Sequence, residues 1–116
     1  MVKLPFKIDL SGKVAVVTGG GGVLCSGFAE ALAACGAKVA VCDLRLEPAQ
    51  AVADRINADG GKAVAVEANV LDKESLLCAR EKINAELGTC DILLNGAGGN
   101  NPKGTTTKEY LFPEDI

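Results

Sequence analysis

The sequence predicts an α/β fold, one parallel sheet of strand order 3-2-1-4 with helices on both faces, and three observations point to it. Four short apolar runs, at residues 14–17, 39–42, 63–66 and 92–94, show no polar alternation, as strands covered on both faces do. The segments between them have helical periodicity and the length that a crossover connection requires. Alanine, valine, leucine and glycine dominate while aromatics make up 3% of the 116 residues, the composition of a layered protein with close helix-to-sheet contacts.

Taken in order, residues 1–12 form a lead-in with no long apolar segment and no small-residue cleavage site, so neither a signal peptide nor a membrane span is expected there. The first strand, 14–17, stops at Thr18 and four consecutive glycines, 19–22. The helix that follows carries Phe28, Ala31, Leu32 and Cys35 on one stripe, with Gly36 as its stop. After the second strand, 39–42, Pro48 marks a helix start, Val52 and Ile56 lie four apart, and Gly60-Gly61 closes the segment. The third strand, 63–66, precedes Asp72, a good N-cap, and a stripe of Leu76, Ala79, Ile83 and Leu87 ending at Gly88. The fourth strand, 92–94, runs into a loop over 95–101.

Right-handed crossovers wire this β-α-β-α-β-α-β chain as a Rossmann-type three-layer sandwich. Its ligand crevice lies between strands one and four, where the sequence places its two glycine-rich loops, 18–25 and 95–101. The chain divides into the lead-in 1–12, a dinucleotide-binding half-domain 13–99, and a polar loop 100–116 leading towards a C-terminal half beyond this sequence. The sheet is accordingly expected to be truncated after its fourth strand.

A net charge of −3 without a basic run gives no footprint for nucleic acid or an anionic membrane, so neither is expected as a partner. Five cysteines without a CxxC pair, and no histidine, argue against a metal and for free thiols in a reducing, cytoplasmic compartment.

Three features carry candidate chemistry. A strand that feeds glycines and then a helix offers bare backbone N–H groups and the positive end of a helix dipole to a pyrophosphate. Gly20-x-Gly22-x-x-Cys25 departs from G-x-G-x-x-G by its cysteine, and the same run is also what a tight turn looks like. No Gly-Lys-Ser/Thr follows, which excludes a Walker-type loop. Asp43 stands at the end of the second strand, about twenty residues beyond the glycines, where a carboxylate accepts from both hydroxyls of an adenosine ribose and repels a 2′-phosphate. That favours NAD over NADP, although Arg45 could pair with a 2′-phosphate or with Glu47, and a solvated acid at a strand end is the plain alternative. Third, Asn95-Gly96-Ala97-Gly98 follows strand four, where glycine permits backbone approach to a ligand and asparagine can bond backbone or ribose; an ordinary turn reads the same way.

Together these residues resemble the short-chain dehydrogenase/reductase family. Thr18-Gly19 opens its TGxxxGxG motif, Asp43 matches its NAD-selecting acid, Asn69-Val70 occupies the place of its Asp-Val pair at the adenine, and Asn95-Gly96-Ala97-Gly98 resembles its NNAG motif. The resemblance implies NAD, with NADP less favoured, and cofactor-binding roles for Gly19, Gly21, Gly22, Val23, Leu24, Asp43, Leu44, Asn69, Val70, Asn95, Gly96, Ala97 and Gly98. Asn69 would meet the adenine amino group through its side-chain carbonyl oxygen. Val23 and Cys25 stand where the family has its second and third glycines, so the loop is expected to follow its own path, with glycines 20–22 supplying the freedom.

The variant TGGGGVLC together with NGAGGNNPKGTT resembles the family's D-mannonate oxidoreductase (fructuronate reductase) branch. That resemblance implies hydride transfer between the nicotinamide and a small sugar acid, D-fructuronate or D-mannonate, by a homo-oligomer. Such chemistry needs a tyrosine acid/base, a lysine four residues later and a serine. The one tyrosine, Tyr110, is followed by Leu-Phe-Pro-Glu, so no catalytic residue is assigned and this stretch alone is expected to be inactive. A nucleotide-binding module without turnover and a ligand-free Rossmann domain are the alternatives.

Overall fold

The structure is a computed structural model that describes residues 3–99 and 107–115. Its elements alternate as expected: β1 (Val14–Thr18), α1 (Val23–Ala34), β2 (Lys38–Asp43), α2 (Leu46–Ala58), β3 (Lys62–Glu67), α3 (Lys73–Glu86) and β4 (Ile92–Asn95), followed by a short 3₁₀ turn at Pro113–Asp115. All strand pairs are parallel and the order is β3-β2-β1-β4. Each strand is one or two residues longer than its apolar core, because polar ends such as Lys38, Asp43, Lys62 and Glu67 still join the ladder.

The period-two geometry of strands sorts the core into two layers. Ala15 and Val17 of β1, Val39 and Val41 of β2, and Ala63 and Ala65 of β3 face α1 and α2. Val14, Val16, Ala40, Cys42 and Val66 point the other way, against Ala79, Ile83 and Leu87 at α3. Both faces of β1, β2 and β3 are thereby covered, which is why these strands lack alternation in sequence.

Helix ends follow backbone chemistry. Gly36, Gly60 and Gly88, each just past a helix, have φ of +97°, +92° and +117°, the left-handed conformation of a helix stop. Asp72 caps α3 by accepting from the Glu74 N–H at 3.0 Å. Helix α2 begins at Leu46, two residues ahead of Pro48, and buries Val52 and Ile56 as expected.

Helix α1 departs from expectation. Its fully buried positions are Ala29 and Ala33, whereas Phe28, the largest residue of the predicted stripe, is 42% exposed. Small side chains let the helix approach the sheet closely, and the bulkier ones are displaced to its flanks. Helix α3 similarly buries Ala79 and Ile83 but leaves Leu76 partly exposed. Strands β3 and β4 are the two sheet edges, and at β4 Ile92 and Leu94 are half-buried towards α1, while Leu93 on the α3 side is 57% exposed. Of the polar segment 100–116, residues 100–106 and 116 lie outside the described residues.

Candidate cofactor site

The carboxyl ends of β1, β2 and β4 converge on the glycine turn. Of its four glycines only Gly19 has a positive φ, +65°, so the backbone freedom expected of residues 20–22 resides one position earlier. Gly20 and Gly21 are small for want of space. A methyl group at Gly20 would lie 2.8 Å from Val41 Cγ1, and one at Gly21 would lie 2.7 Å from Pro48 Cβ. Gly20 N–H donates to the Cys42 carbonyl at 2.9 Å, tying the turn to β2.

Gly22 is the N-cap of α1, and no side chain caps that end. The first-turn amides of Val23, Leu24 and Cys25 are therefore the donors available to an anion, at the positive end of the helix dipole and with no acidic residue in that turn to oppose it. Val23 occupies the first helical position, where its β-branch costs nothing in φ, and its side chain is 98% exposed beside an exposed Leu24. Such an end fits a pyrophosphate through backbone donors alone.

The β4 loop meets the same turn. A methyl group at Gly19 would come within 2.7 Å of the Gly96 carbonyl oxygen, so the two glycine loops touch. Thr18 Oγ1 accepts from the N–H groups of Gly96, at 3.0 Å, and Ala97, at 3.2 Å. Cys25 Sγ fills the space where a side chain at Gly96 would lie. The thiol that replaces a glycine in the fingerprint thus packs against the β4 loop, and Gly96 makes room for it. Asn95 pairs with Thr18 across the ladder, while Gly98 stands apart, with open space around it.

On the β2 side, the Asp43 carboxylate accepts from Gly21 N–H through Oδ2 at 3.0 Å and from Arg45 N–H through Oδ1 at 3.2 Å. Leu44 is exposed beside it. Asn69 and Val70 follow β3, and Ala68 N–H donates to the Asp43 carbonyl at 2.9 Å, which draws the ends of β2 and β3 together. Asn69 Oδ1, the atom expected to meet adenine, accepts from Leu71 N–H at 3.0 Å in a local turn. A carbonyl oxygen has a second lone pair, so the turn fixes its direction without consuming it.

Sequence reasoning missed the packing of Gly20 against Val41, the Pro48–Ala49 wall of α2 and the hydroxyl role of Thr18. Thr18 could have been found from its place at the strand end opposite the second glycine loop. The Pro48 contact carries no local signal, since it depends on how closely α2 approaches the turn. Beside the site, on the α3 face of the sheet, lies a groove of about 490 Å³ lined by Val16, Cys42, Val70, Ile83 and Leu93, with Thr18 and Asn95 also on its wall. Burial pushes the Cys42 thiol up to about 11, with Cys90 and Asp43 nearby adding to the effect. Among the described residues no group of His, Cys, Asp or Glu could hold a metal ion, and no helix is long and apolar enough to cross a membrane.

The short chain dehydrogenase family model matches residues 13–112, from the start of β1 through β4 and beyond. The chain belongs to the short-chain dehydrogenase family. Among relatives of this short-chain dehydrogenase, an uncharacterized oxidoreductase of Haemophilus influenzae is 51% identical over 102 residues, covering 88% of this chain and 36% of that protein. A crystal structure from Haemophilus influenzae with bound NAD, provisionally named as a D-mannonate oxidoreductase, superposes with a TM-score of 0.80 at 50% identity, over 90% of this chain and 38% of that one. A metagenomic short-chain oxidoreductase in complex with NADP gives a TM-score of 0.72 at 33% identity, over 78% of this chain and 41% of that one. This short-chain dehydrogenase sequence therefore spans about two fifths or less of the proteins it matches, and its similarity reaches holders of either nicotinamide cofactor.

Proposed function

We propose that the chain is the NAD-binding portion of a short-chain oxidoreductase that interconverts D-fructuronate and D-mannonate in the cytoplasm as a homo-oligomer, with residues 13–99 as the dinucleotide-binding half. The single observation that carries the cofactor reading is convergence: the uncapped end of α1, the two touching glycine loops and the Asp43 carboxylate share one sheet edge. Support for the substrate comes from the 50% identity to the NAD-bound Haemophilus protein.

On this reading the amides of Val23 and Leu24, with the turn of Gly19, Gly21 and Gly22, hold the pyrophosphate. Asp43 and Leu44 border the adenosine ribose, and Asn69 and Val70 the adenine. Asn95, Gly96, Ala97 and Gly98 line the path towards the nicotinamide. The cofactor, when bound, supplies hydride chemistry. These residues orient it but provide no proton donor, since the 116 residues contain no tyrosine with a lysine four positions later. The proposed role of this stretch is to bind and aim the cofactor, and on its own it is expected to turn nothing over.

Calorimetric titration of the 116-residue chain with NADH and NADPH tests this reading. Saturable heat with NADH, and a weaker response to NADPH, is expected. Absence of heat with both at millimolar concentration would leave a ligand-free domain. An Asp43→Ala change should weaken NADH more than NADPH, and equal losses would remove Asp43 from the ribose.

A further inference from the structure

We propose that Gly21 and Asp43 form a latch that sets the ribose-reading carboxylate before any cofactor arrives, so that Gly21 is a positioning residue for the choice between NAD and NADP. The inference rests on the cofactor reading above and deepens it. Both carboxylate oxygens are already engaged by backbone donors on opposite sides, Gly21 N–H on Oδ2 at 3.0 Å and Arg45 N–H on Oδ1 at 3.2 Å. The Asp43 backbone is itself fixed, since its carbonyl accepts from Ala68 N–H at 2.9 Å.

A carboxylate has about four lone-pair sites, and two remain for a pair of ribose hydroxyls. Held by two charge-assisted bonds, it cannot swing aside to admit a 2′-phosphate without losing them. Repulsion of the phosphate is therefore enforced by the glycine turn as well as by charge. The turn in turn needs glycine at 21 for space: a methyl group there would lie 2.9 Å from Asp43 Oδ2, 2.7 Å from Pro48 Cβ and 3.0 Å from Ala49 N. Pro48 and Ala49 belong to α2 and Gly20 is bonded to β2, so neither wall can retreat freely, and the flexible carboxylate is the group that would move.

The test combines amide hydrogen exchange on the ligand-free 116-residue chain with NADH and NADPH titrations of wild type, Asp43→Asn, Asp43→Ala and Gly21→Ala. In Asp43→Ala the Gly21 amide should exchange about tenfold faster or more, while Asp43→Asn, which keeps an acceptor oxygen, retains most of the protection. Gly21→Ala should lower the ratio of NADH to NADPH affinity although the carboxylate is intact. Equal Gly21 exchange in wild type and Asp43→Ala would overturn the latch, as would a wild-type affinity ratio in Gly21→Ala. If wild type binds neither cofactor, the cofactor reading fails on its own while the exchange arm still decides whether the latch exists. Should Gly21→Ala not fold, the exchange comparison alone decides.

Discussion

Gly96 has no room for a side chain, since a methyl group there would meet Cys25 Sγ and would lie 2.7 Å from the Thr18 carbonyl oxygen. Gly96→Ala should therefore lower stability by about 1–3 kcal/mol, read as a fall in urea midpoint at unchanged slope. Adding Cys25→Gly should recover part of the loss, because it removes the thiol but leaves the backbone contact; a purely additive double mutant would show that the two residues do not press on each other. Cys42 makes a second prediction. Its folded thiol ionises near 11 against an ordinary value of 9.0, so the folded state holds the proton more tightly than the unfolded chain does. The resulting stability is full below pH 9 and is lost as pH rises through about 11, by up to about 3 kcal/mol. In Cys42→Ala that part of the alkaline decline should vanish from denaturation curves taken between pH 8 and pH 11.

The order of the elements was legible because glycines punctuate the helices and the apolar runs lack alternation, and both signals arise from backbone conformation and two-sided burial. Which side of α1 faces the sheet was not. A period of 3.6 identifies a stripe but does not say that close approach selects Ala29 and Ala33 over Phe28. Ala33→Leu should accordingly cost about 1–3 kcal/mol by overpacking, whereas Phe28→Ala, at a half-open position, should cost clearly less; thermal melts of the two variants compare them directly. The candidate site shows the same division. The positive φ expected among residues 20–22 stands at Gly19, whereas the place of Asp43 beside the glycine turn was legible from its position at the end of β2. The bond from Gly21 N–H to Asp43 was not, since its donor is backbone that any residue type carries, and the space limit at Gly21 comes from α2 nearly thirty positions away in sequence.

For the molecule as a whole, β4 is a sheet edge that no further strand pairs with among the described residues, with Leu93 at 57% exposure beside an apolar groove. Unpaired edges of this kind join to others. Sedimentation over a concentration series is expected to show association of the 116-residue chain, and Leu93→Lys, which places a charge on the edge, should shift it towards monomer; a chain that sediments as a monomer throughout would refute the role of the edge. The bond from Gly96 to Thr18 spans 78 positions, and the one from Gly21 to Asp43 spans 22. As the chain leaves the ribosome, the bond between Gly21 and Asp43 can close when β2 has formed, but the contact between the two glycine loops must wait for β4. Closure over so long a separation is slow compared with helix formation, so the contact between the two glycine loops is expected to form late in folding.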